Sequence, residues 1–305
     1  MRQSIRGYTD GIIEQAATGG ELRSTADELA AVSQLIGRSQ DLRQTLADPG
    51  VPASSRRAVV TELLSSRVGA PALRLLQFVI EADRATEVIA DVEWLEVRLN
   101  AAADDLRPVG EAVLGHKAAE ERLGGYATAL LQVLAGDAIL TQIEEDLFRF
   151  MQILDGSEEL RTILSSRDVS AEARKRLVED LLSSKTTPTT TQLASYATQI
   201  GRPRDYEDLL SFLVDRLSLE SHKRMAEVRS AVPLNERQMQ ELSGALRRVV
   251  GYDVQLRVMV DPSILGGFVA TIGDTVVDGS ARHRLELLRD RLVLPEANIT
   301  TGGSS

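Results

Sequence analysis

The chain has 305 residues, of which 43% are hydrophobic, 26% charged and only 4% aromatic, and its formal net charge is −10. This length predicts two or three domains, and the mainly aliphatic apolar residues favour packed helices. There is no cysteine, which excludes disulfides and thiolate metal sites. The acidic balance argues against nucleic-acid binding. No apolar run approaches the roughly 18 residues that cross a bilayer, so direct membrane insertion is not expected.

An internal repeat covers most of the chain. At an offset of 118 residues, the segment 7–99 matches the segment 125–217 without a gap. Solenoid repeats run to about 50 residues, so a period this long indicates a duplicated domain instead. Identical residues at matching positions include Gly7 and Gly125, Leu29 and Leu147, Leu64 and Leu182, and Arg98 and Arg216.

Each copy is predicted to be a bundle of five or six helices. In the second copy, apolar residues recur every three or four positions from Ile139 to Leu154, which is the pattern of one face of a long helix. Ser157 and Ser170 stand where N-caps belong, with acidic residues in the turns that follow. Pro188 is expected near the start of a later helix, and Gly201 is expected to interrupt the chain again.

The C-terminal part is predicted to be a small α/β module. A helix is expected to start after Pro233, and Val254 to Val260 alternate as in a strand. Gly266-Gly267 predicts a backbone bend. Phe268–Ile272 and Thr275–Asp278, separated by two turn-forming residues, predict a hairpin. Ser280 is placed to cap a final helix whose apolar residues are Leu285, Leu288 and Leu292.

We therefore predict a mainly α protein, with two tandem bundles followed by this module. The domain boundaries are assigned as 1–106 for copy one, 107–124 for a connection and 125–220 for copy two. The module is assigned to 221–294 and a flexible tail to 295–305. The run 107–110, Arg-Pro-Val-Gly, is interpreted as the break after the last helix of copy one, and the stretch from there through Gly124-Gly125 as the connection.

The sequence contains no recognisable catalytic constellation. Its three histidines, His116, His222 and His283, are far apart and have no partner at ligand spacing. Its glycine pairs lack the spacing and the lysine of a phosphate loop. We therefore expect a protein that is not an enzyme and that has no cofactor and no metal.

The residues from Leu265 to Leu285 carry a family resemblance. Their order, LGGF-x4-GD-x3-DGS-x4-L, resembles the C-terminal signature of the δ subunit of F-type ATP synthases, which is called OSCP in mitochondria. Tyr126–Leu130 is similar to the opening YAxAL of that family, and Ser230–Leu234 is similar to its SAVPL junction. The resemblance runs from about Gly125 to Leu292. Copy one is an extra bundle, as in the enlarged δ subunits of actinobacteria.

This resemblance implies a non-catalytic peripheral-stalk, or stator, subunit of a proton-translocating ATP synthase at the cytoplasmic face of the cell membrane. Its implied partners are the N-terminal helices of the α subunits in the catalytic head and the b subunit of the stalk. A general helical adaptor is the alternative that the duplicated bundle alone permits. The implied b-stalk contacts are Leu265, Gly266, Gly267, Phe268, Leu285, Leu288 and Leu292.

The resemblance also implies a groove for an α-subunit helix on the first and fifth helices of copy two. The spacing of Leu193, Tyr196 and Ile200 is equally that of a plain core. Copy two is expected to dock on the head, because copy one has Asp10 and Gly11 in the matching turn. Whether copy one binds an α subunit or a b helix stays open. The implied groove residues are Tyr126, Leu130, Leu193, Tyr196 and Ile200.

Overall fold

The computed structural model describes residues 1–106, 113–134, 137–223, 225–250, 254–261, 264, 266–272 and 275–279. The chain divides into two compact units. The first comprises residues 1–134 and 139–217, and therefore contains both copies of the repeat. The second comprises residues 218–305 together with 135–138.

Copy one folds as a six-helix bundle, as predicted. Its core combines Tyr8 and Ile12 of the first helix with Leu29, Leu75 and Leu95 of later helices. A 3-10 turn, Ala85–Glu87, precedes the last helix. The helices are α1 Gln3–Thr18, α2 Leu22–Arg38, α3 Gln40–Ala47, α4 Ala53–Leu64, α5 Ala70–Ala82 and α6 Val88–Ala103.

Copy two repeats this bundle element by element. Its last four helices each begin 118 residues after their counterparts in copy one, so the gapless sequence match corresponds to a repeated fold. The predicted apolar stripe is buried from Ile143 to Leu154. The helices are α7 His116–Leu131, α8 Asp137–Gly156, α9 Glu158–Ser165, α10 Ala171–Leu182, α11 Pro188–Ile200 and α12 Tyr206–Lys223.

The predicted helix starts are confirmed by their caps. The Ser157 hydroxyl accepts a hydrogen bond from the backbone N–H of Leu160, and the Ser170 hydroxyl accepts one from Ala173. Helix α11 starts at Pro188 behind the N-cap Thr187. These side chains satisfy N–H groups that have no partner within their own helices.

The predicted connection 107–124 is too long. Helix α7 begins at His116, so Gly124 and Gly125 lie inside the helix and do not end it. Helix propensity ranks glycine as a poor helix former, but a glycine inside a helix also lets another backbone approach closely. The second effect prevails here, because α7 packs closely against α1.

The C-terminal unit contains a four-stranded sheet with the order β2-β1-β3-β4. Strand β1 is parallel to β2 and antiparallel to β3, and β3 is antiparallel to β4. Ala226, Val228, Ala270 and Ile272 form the core with Leu242 and Leu246 of the intervening helix. The elements are β1 Met225–Ser230, α13 Glu236–Val250, β2 Gln255–Val260, β3 Phe268–Ile272 and β4 Thr275–Asp278.

The strand and bend predictions for this unit are confirmed. Gly266 and Gly267 have φ angles of 118° and 83°, a backbone region that favours glycine. The predicted hairpin residues form β3 and β4. Helix α13 starts with a reciprocal cap, in which Asn235 Oδ1 accepts from the Gln238 N–H and Gln238 Oε1 accepts from the Asn235 N–H. Leu265, the turn Gly273-Asp274, the Ser280 cap, the helix with Leu285, Leu288 and Leu292, and the tail lie outside the described residues.

Candidate functional site

The two copies pack against each other through α1 and α7. A Cβ atom added to Gly7 would lie 1.8 Å from the carbonyl oxygen of Arg122. A Cβ atom added to Gly125 would lie 1.9 Å from the carbonyl oxygen of Ser4. Both distances are far below van der Waals contact, so the crossing brings backbone against backbone and requires glycine at both positions.

Two tyrosines form hydrogen bonds between the copies beside this crossing. Tyr8 stacks on Phe78 within copy one, and its hydroxyl donates to Gln132 Oε1 of copy two at 2.6 Å. Tyr126 stacks on Tyr196 within copy two, and its hydroxyl donates to the carboxylate of Glu14 in copy one. Each copy therefore presents an aromatic pair from its first and fifth helices to the first helix of the other copy.

An ion-pair network lies beside Tyr196. The Asp10 carboxylate accepts from Arg122 Nη2 at 2.7 Å, from Arg98 Nη2 at 3.2 Å and from the Tyr196 hydroxyl at 2.6 Å. The side chains of Asp10 and Arg122 are only 9% and 7% exposed. Buried charges are tolerated when they are paired and hydrogen-bonded, and Asp10 has three donors.

The tyrosine hydroxyls in this region remain hydrogen-bond donors at neutral pH. Burial is the main reason why the pKa of Tyr126 and of Tyr196 lies well above the ordinary value. The carboxylate of Glu14 raises the pKa of Tyr126 further, and that of Asp10 raises the pKa of Tyr196. Both phenols therefore keep the protons that they donate to these carboxylates.

The predicted α-subunit groove lies partly under α1, and a cavity of about 390 Å³ remains beside Tyr126, Tyr196 and Ile200. Tyr126 is 1% exposed and lies against α1, and the hydroxyl of Tyr196 is bound to Asp10. Leu130, Leu193 and Ile200 belong to the core of copy two. The structure therefore brings these five residues onto two neighbouring helices, α7 and α11, but α1 of copy one covers the tyrosines. Sequence reasoning missed this cover, although glycines at matching positions in α1 and α7 are a signal of close helix packing.

An open groove lies on a different face of copy two, between α8 and α10. Its volume is about 210 Å³, and it was not anticipated from the sequence. Ile153 is 54% exposed there, and Lys185 supplies exposed positive charge, whereas Arg149 is ion-paired with Glu145 and Asp146. Within the described chain, Lys185 forms no ion pair. The groove residues are Asp146, Arg149, Phe150, Ile153, Leu181, Leu182, Lys185 and Thr186.

The matching position in copy one is also apolar. Val32, Leu63 and Leu64 of this place line a cavity of about 10 Å³ that lies mainly among core residues of copy one. Leu63 and Leu64 correspond to Leu181 and Leu182 of copy two at the offset of 118 residues. Both copies therefore have apolar residues at this place.

The C-terminal unit has a cleft of its own, next to the Gly266-Gly267 bend. Its volume is about 420 Å³, and it lies between α13 and the ends of β1 and β3. Phe268 and Gly267 line it, as does Val232, which is 59% exposed. Two of the predicted b-stalk residues therefore border an accessible and largely apolar surface. The other lining residues are Ser230, Leu234, Gln238, Glu241, Leu242 and Ala245.

Comparison with known proteins identifies the family. The model of the ATP synthase delta (OSCP) subunit matches residues 5–107 and 124–292, which covers both bundles and the C-terminal module. The chain belongs to the ATP synthase delta (OSCP) subunit family. It is therefore a structural, non-catalytic subunit of the peripheral stalk of an F-type ATP synthase. Within the residues that the structure describes, none of the helices has both the length and the apolar character that a membrane span requires.

Individual relatives of this delta-subunit chain match over most of their length. It is 31% identical to the ATP synthase subunit delta of Streptomyces avermitilis, over 90% of this chain and 91% of the relative. It is 32% identical to the ATP synthase subunit delta of Salinispora arenicola, over 91% of each. A chain in the solved structure of the Polytomella F-ATP synthase is 27% identical over 23% of this chain and 89% of that one, with a TM-score of 0.22.

Proposed function

We propose that this delta-family subunit connects the catalytic head to the stalk by docking helices of two partners on two separate surfaces. Copy two receives an amphipathic helix from an α subunit, and the C-terminal module receives the b stalk. The observation that carries the proposal is the family match, which spans both bundles and the module. We also propose that the complex lies at the cytoplasmic face of the cell membrane.

The α8–α10 groove is the better docking surface for the α-subunit helix. The cavity beside Tyr126 and Tyr196 is also lined by the charged residues Asp10, Glu14, Arg98 and Arg122. A helix that packed fully on α7 and α11 would have to displace α1 and break the Arg122–Asp10 ion pair. The α8–α10 groove needs no such rearrangement. It offers an apolar floor beside the exposed cation Lys185, which favours a helix with bulky aliphatic residues and an acidic side chain.

Matched substitutions in the two copies test this assignment. Leu181→Arg places a charge in the copy-two groove, and Leu63→Arg makes the same change at the equivalent position of copy one. Burying one leucine side chain contributes about 1.5–3 kcal/mol, so Leu181→Arg should weaken binding of an α-subunit N-terminal peptide at least about ten-fold. Leu63→Arg should leave the affinity unchanged. The measurement is calorimetric titration of the full chain.

Two results would contradict the assignment. Loss of affinity in Leu63→Arg, with none in Leu181→Arg, would place the α subunit on copy one. Loss in neither variant would exclude both grooves, and displacement of α1 would become the alternative. That alternative predicts faster hydrogen exchange in α1 when the peptide is added.

The C-terminal cleft is proposed as the surface for the b stalk. It combines Phe268, Leu234 and the exposed Val232 beside the glycine bend, and apolar burial of this kind stabilises a docked helix. Of the other implied contacts, Leu265, Leu285, Leu288 and Leu292 lie outside the described residues and Gly266 lies in the bend; these five stay part of the proposal.

A pair of exposed valines provides the test for this surface. Val232→Asp introduces a charge in the cleft and should abolish co-purification with the b subunit. Val276→Asp is the control, because Val276 is similarly exposed but lies on the opposite face of the sheet from Phe268. Equal b binding by both variants would refute the assignment.

A further inference from the structure

The interface between the two copies is reciprocal. Gly7 packs on the Arg122 carbonyl and Gly125 on the Ser4 carbonyl, and these are equivalent contacts at the offset of 118 residues. The tyrosine bonds Tyr8–Gln132 and Tyr126–Glu14 are related in the same way. This is the pattern of a two-fold isologous interface, here formed within one chain.

One position lies at the centre of this reciprocal pattern. A Cβ atom added to Gly11 would lie 2.7 Å from the Cβ atom of Ala129, and position 129 is the counterpart of position 11. Each residue therefore faces its own equivalent. Geometry alone would allow two identical faces, from two different chains, to pair in the same manner.

The polar residues break this symmetry. Asp10 of copy one is matched by Thr128 in copy two. Across the interface Asp10 meets Arg122 and Tyr196, whereas the residues equivalent to those two in copy one are Ser4 and Phe78. On its own side Asp10 accepts from Arg98, and Thr128 accepts from the matching residue, Arg216.

Pairing of like faces would separate the opposite charges. Two copy-one faces would place Asp10 opposite Ser4 and Phe78, with no cation from across the interface. Two copy-two faces would place Arg122 opposite Thr128. The nearest carboxylate from across the interface would be Glu121, which here accepts from Ser4, the counterpart of Arg122, at an exposed site where an ion pair contributes little. Removing one partner of a buried charge pair is strongly destabilising, so both like pairings are disfavoured relative to the observed one.

We infer that the Asp10–Arg122 pair is the specificity determinant of the interface between the copies. It makes a copy-one face accept a copy-two face and reject a second copy of itself from another chain. The partner of each bundle is therefore the other bundle of the pair. This inference concerns contacts within the first unit and holds whichever surface binds the α subunit or the b stalk.

A disulfide at the centre of the interface measures the pairing. The chain has no cysteine, so Ala129→Cys forms a covalent dimer only when the copy-two faces of two chains meet. All proteins carry this change. The neutral variant adds Asp10→Thr and Arg122→Ser. The mirror variant adds Ser4→Arg and Thr128→Asp to the neutral variant, which moves the charge pair to the equivalent positions across the two-fold axis.

On oxidation, the neutral variant should form disulfide-linked dimers at least about ten-fold faster than the chain that carries Ala129→Cys alone. The mirror variant should form them at the same rate as that chain. Folding of the mirror variant with failure of the neutral variant to fold would also support the inference, because only the pair distinguishes them. A neutral variant that is captured no faster would overturn it. So would a mirror variant that is captured as fast as the neutral one or that does not fold.

Discussion

Replacing Gly7 by alanine tests the close crossing of α1 and α7 most directly. The added Cβ atom would lie 1.8 Å from the Arg122 carbonyl oxygen and 2.7 Å from its carbonyl carbon. Both are backbone atoms, so no side chain can rotate away. An ordinary contact of about 3.4 Å requires α1 and α7 to separate by about 1.6 Å. Such a separation would also lengthen the hydrogen bonds from Tyr8 to Gln132 and from Arg122 to Asp10 beyond their range.

The expected loss of unfolding free energy follows from the overpacking and from the hydrogen bonds that are lost. Overpacking costs about 1–3 kcal/mol, and two interfacial hydrogen bonds, one of them charged, contribute about 2–4.5 kcal/mol more. Alanine recovers about 1 kcal/mol through its higher helix propensity. The net loss of unfolding free energy for Gly7→Ala should therefore be about 4 kcal/mol. The double variant with Gly125→Ala should lose much less than twice this amount, because helices that have already separated leave room for the second methyl group.

Urea unfolding followed by circular dichroism, with hydrogen exchange on α1 and α7, provides the measurement. Gly37→Ala is the matched control, since Gly37 also lies inside a helix and its nearest neighbour to an added Cβ is a flexible arginine end at 3.8 Å. It should gain up to about 1 kcal/mol. If Gly7→Ala also gained stability, or if the two glycine substitutions were additive, the backbone contact described above would be wrong.

Two further predictions concern ionisation and nucleotides. Burial is the main reason why the pKa of Asp91 is raised to about 6, and the neighbouring Asp83 carboxyl raises it further. The folded state therefore binds the Asp91 proton more tightly than the unfolded state does. The stability that this proton contributes is lost as the pH rises through about 4 to 6. Asp91→Asn should consequently exceed the parent in unfolding free energy by about 2 kcal/mol at pH 7.5 and match it near pH 4, and a difference independent of pH in urea titrations would contradict this. The full chain should neither bind nor hydrolyse Mg-ATP, because the sequence has no phosphate loop; micromolar binding in a calorimetric titration would disprove it.

Local sequence patterns were sufficient for most of the fold. The stripe from Ile143 to Leu154, the caps Ser157 and Ser170, and the hairpin strands depend on neighbours within a few residues, and each is found where it was predicted. Because the repeat has no gap, the helix positions predicted in one copy also predicted those of the other copy. The α/β module was recognisable because its strands alternate and its bend has two glycines.

The binding surface was less accessible to sequence reasoning. An apolar stripe shows which face of a helix is covered, but it does not show which element covers it. Tyr126 and Tyr196 fit a helix from another subunit as well as they fit α1 of the same chain. Gly124 was assigned to the connection between the copies, and only the crossing of α7 with α1 explains why the glycine beside it, Gly125, lies within a helix. The α8–α10 groove depends on side-chain volumes at positions such as Phe150 and Ile153, which a periodic pattern does not specify.

The backbone contact at Gly7 and Gly125 also has a mechanical consequence. Long side chains at a joint act as compliant springs, because their torsion angles yield under load, whereas peptide groups in helices have almost no soft degrees of freedom. A contact between the Cα atoms of glycines and the carbonyl groups of the facing helix is therefore stiff in compression. The stalk must resist the torque of a rotating machine, and the junction between the two bundles should store little of that elastic energy. A stator part built in this way deforms elsewhere first.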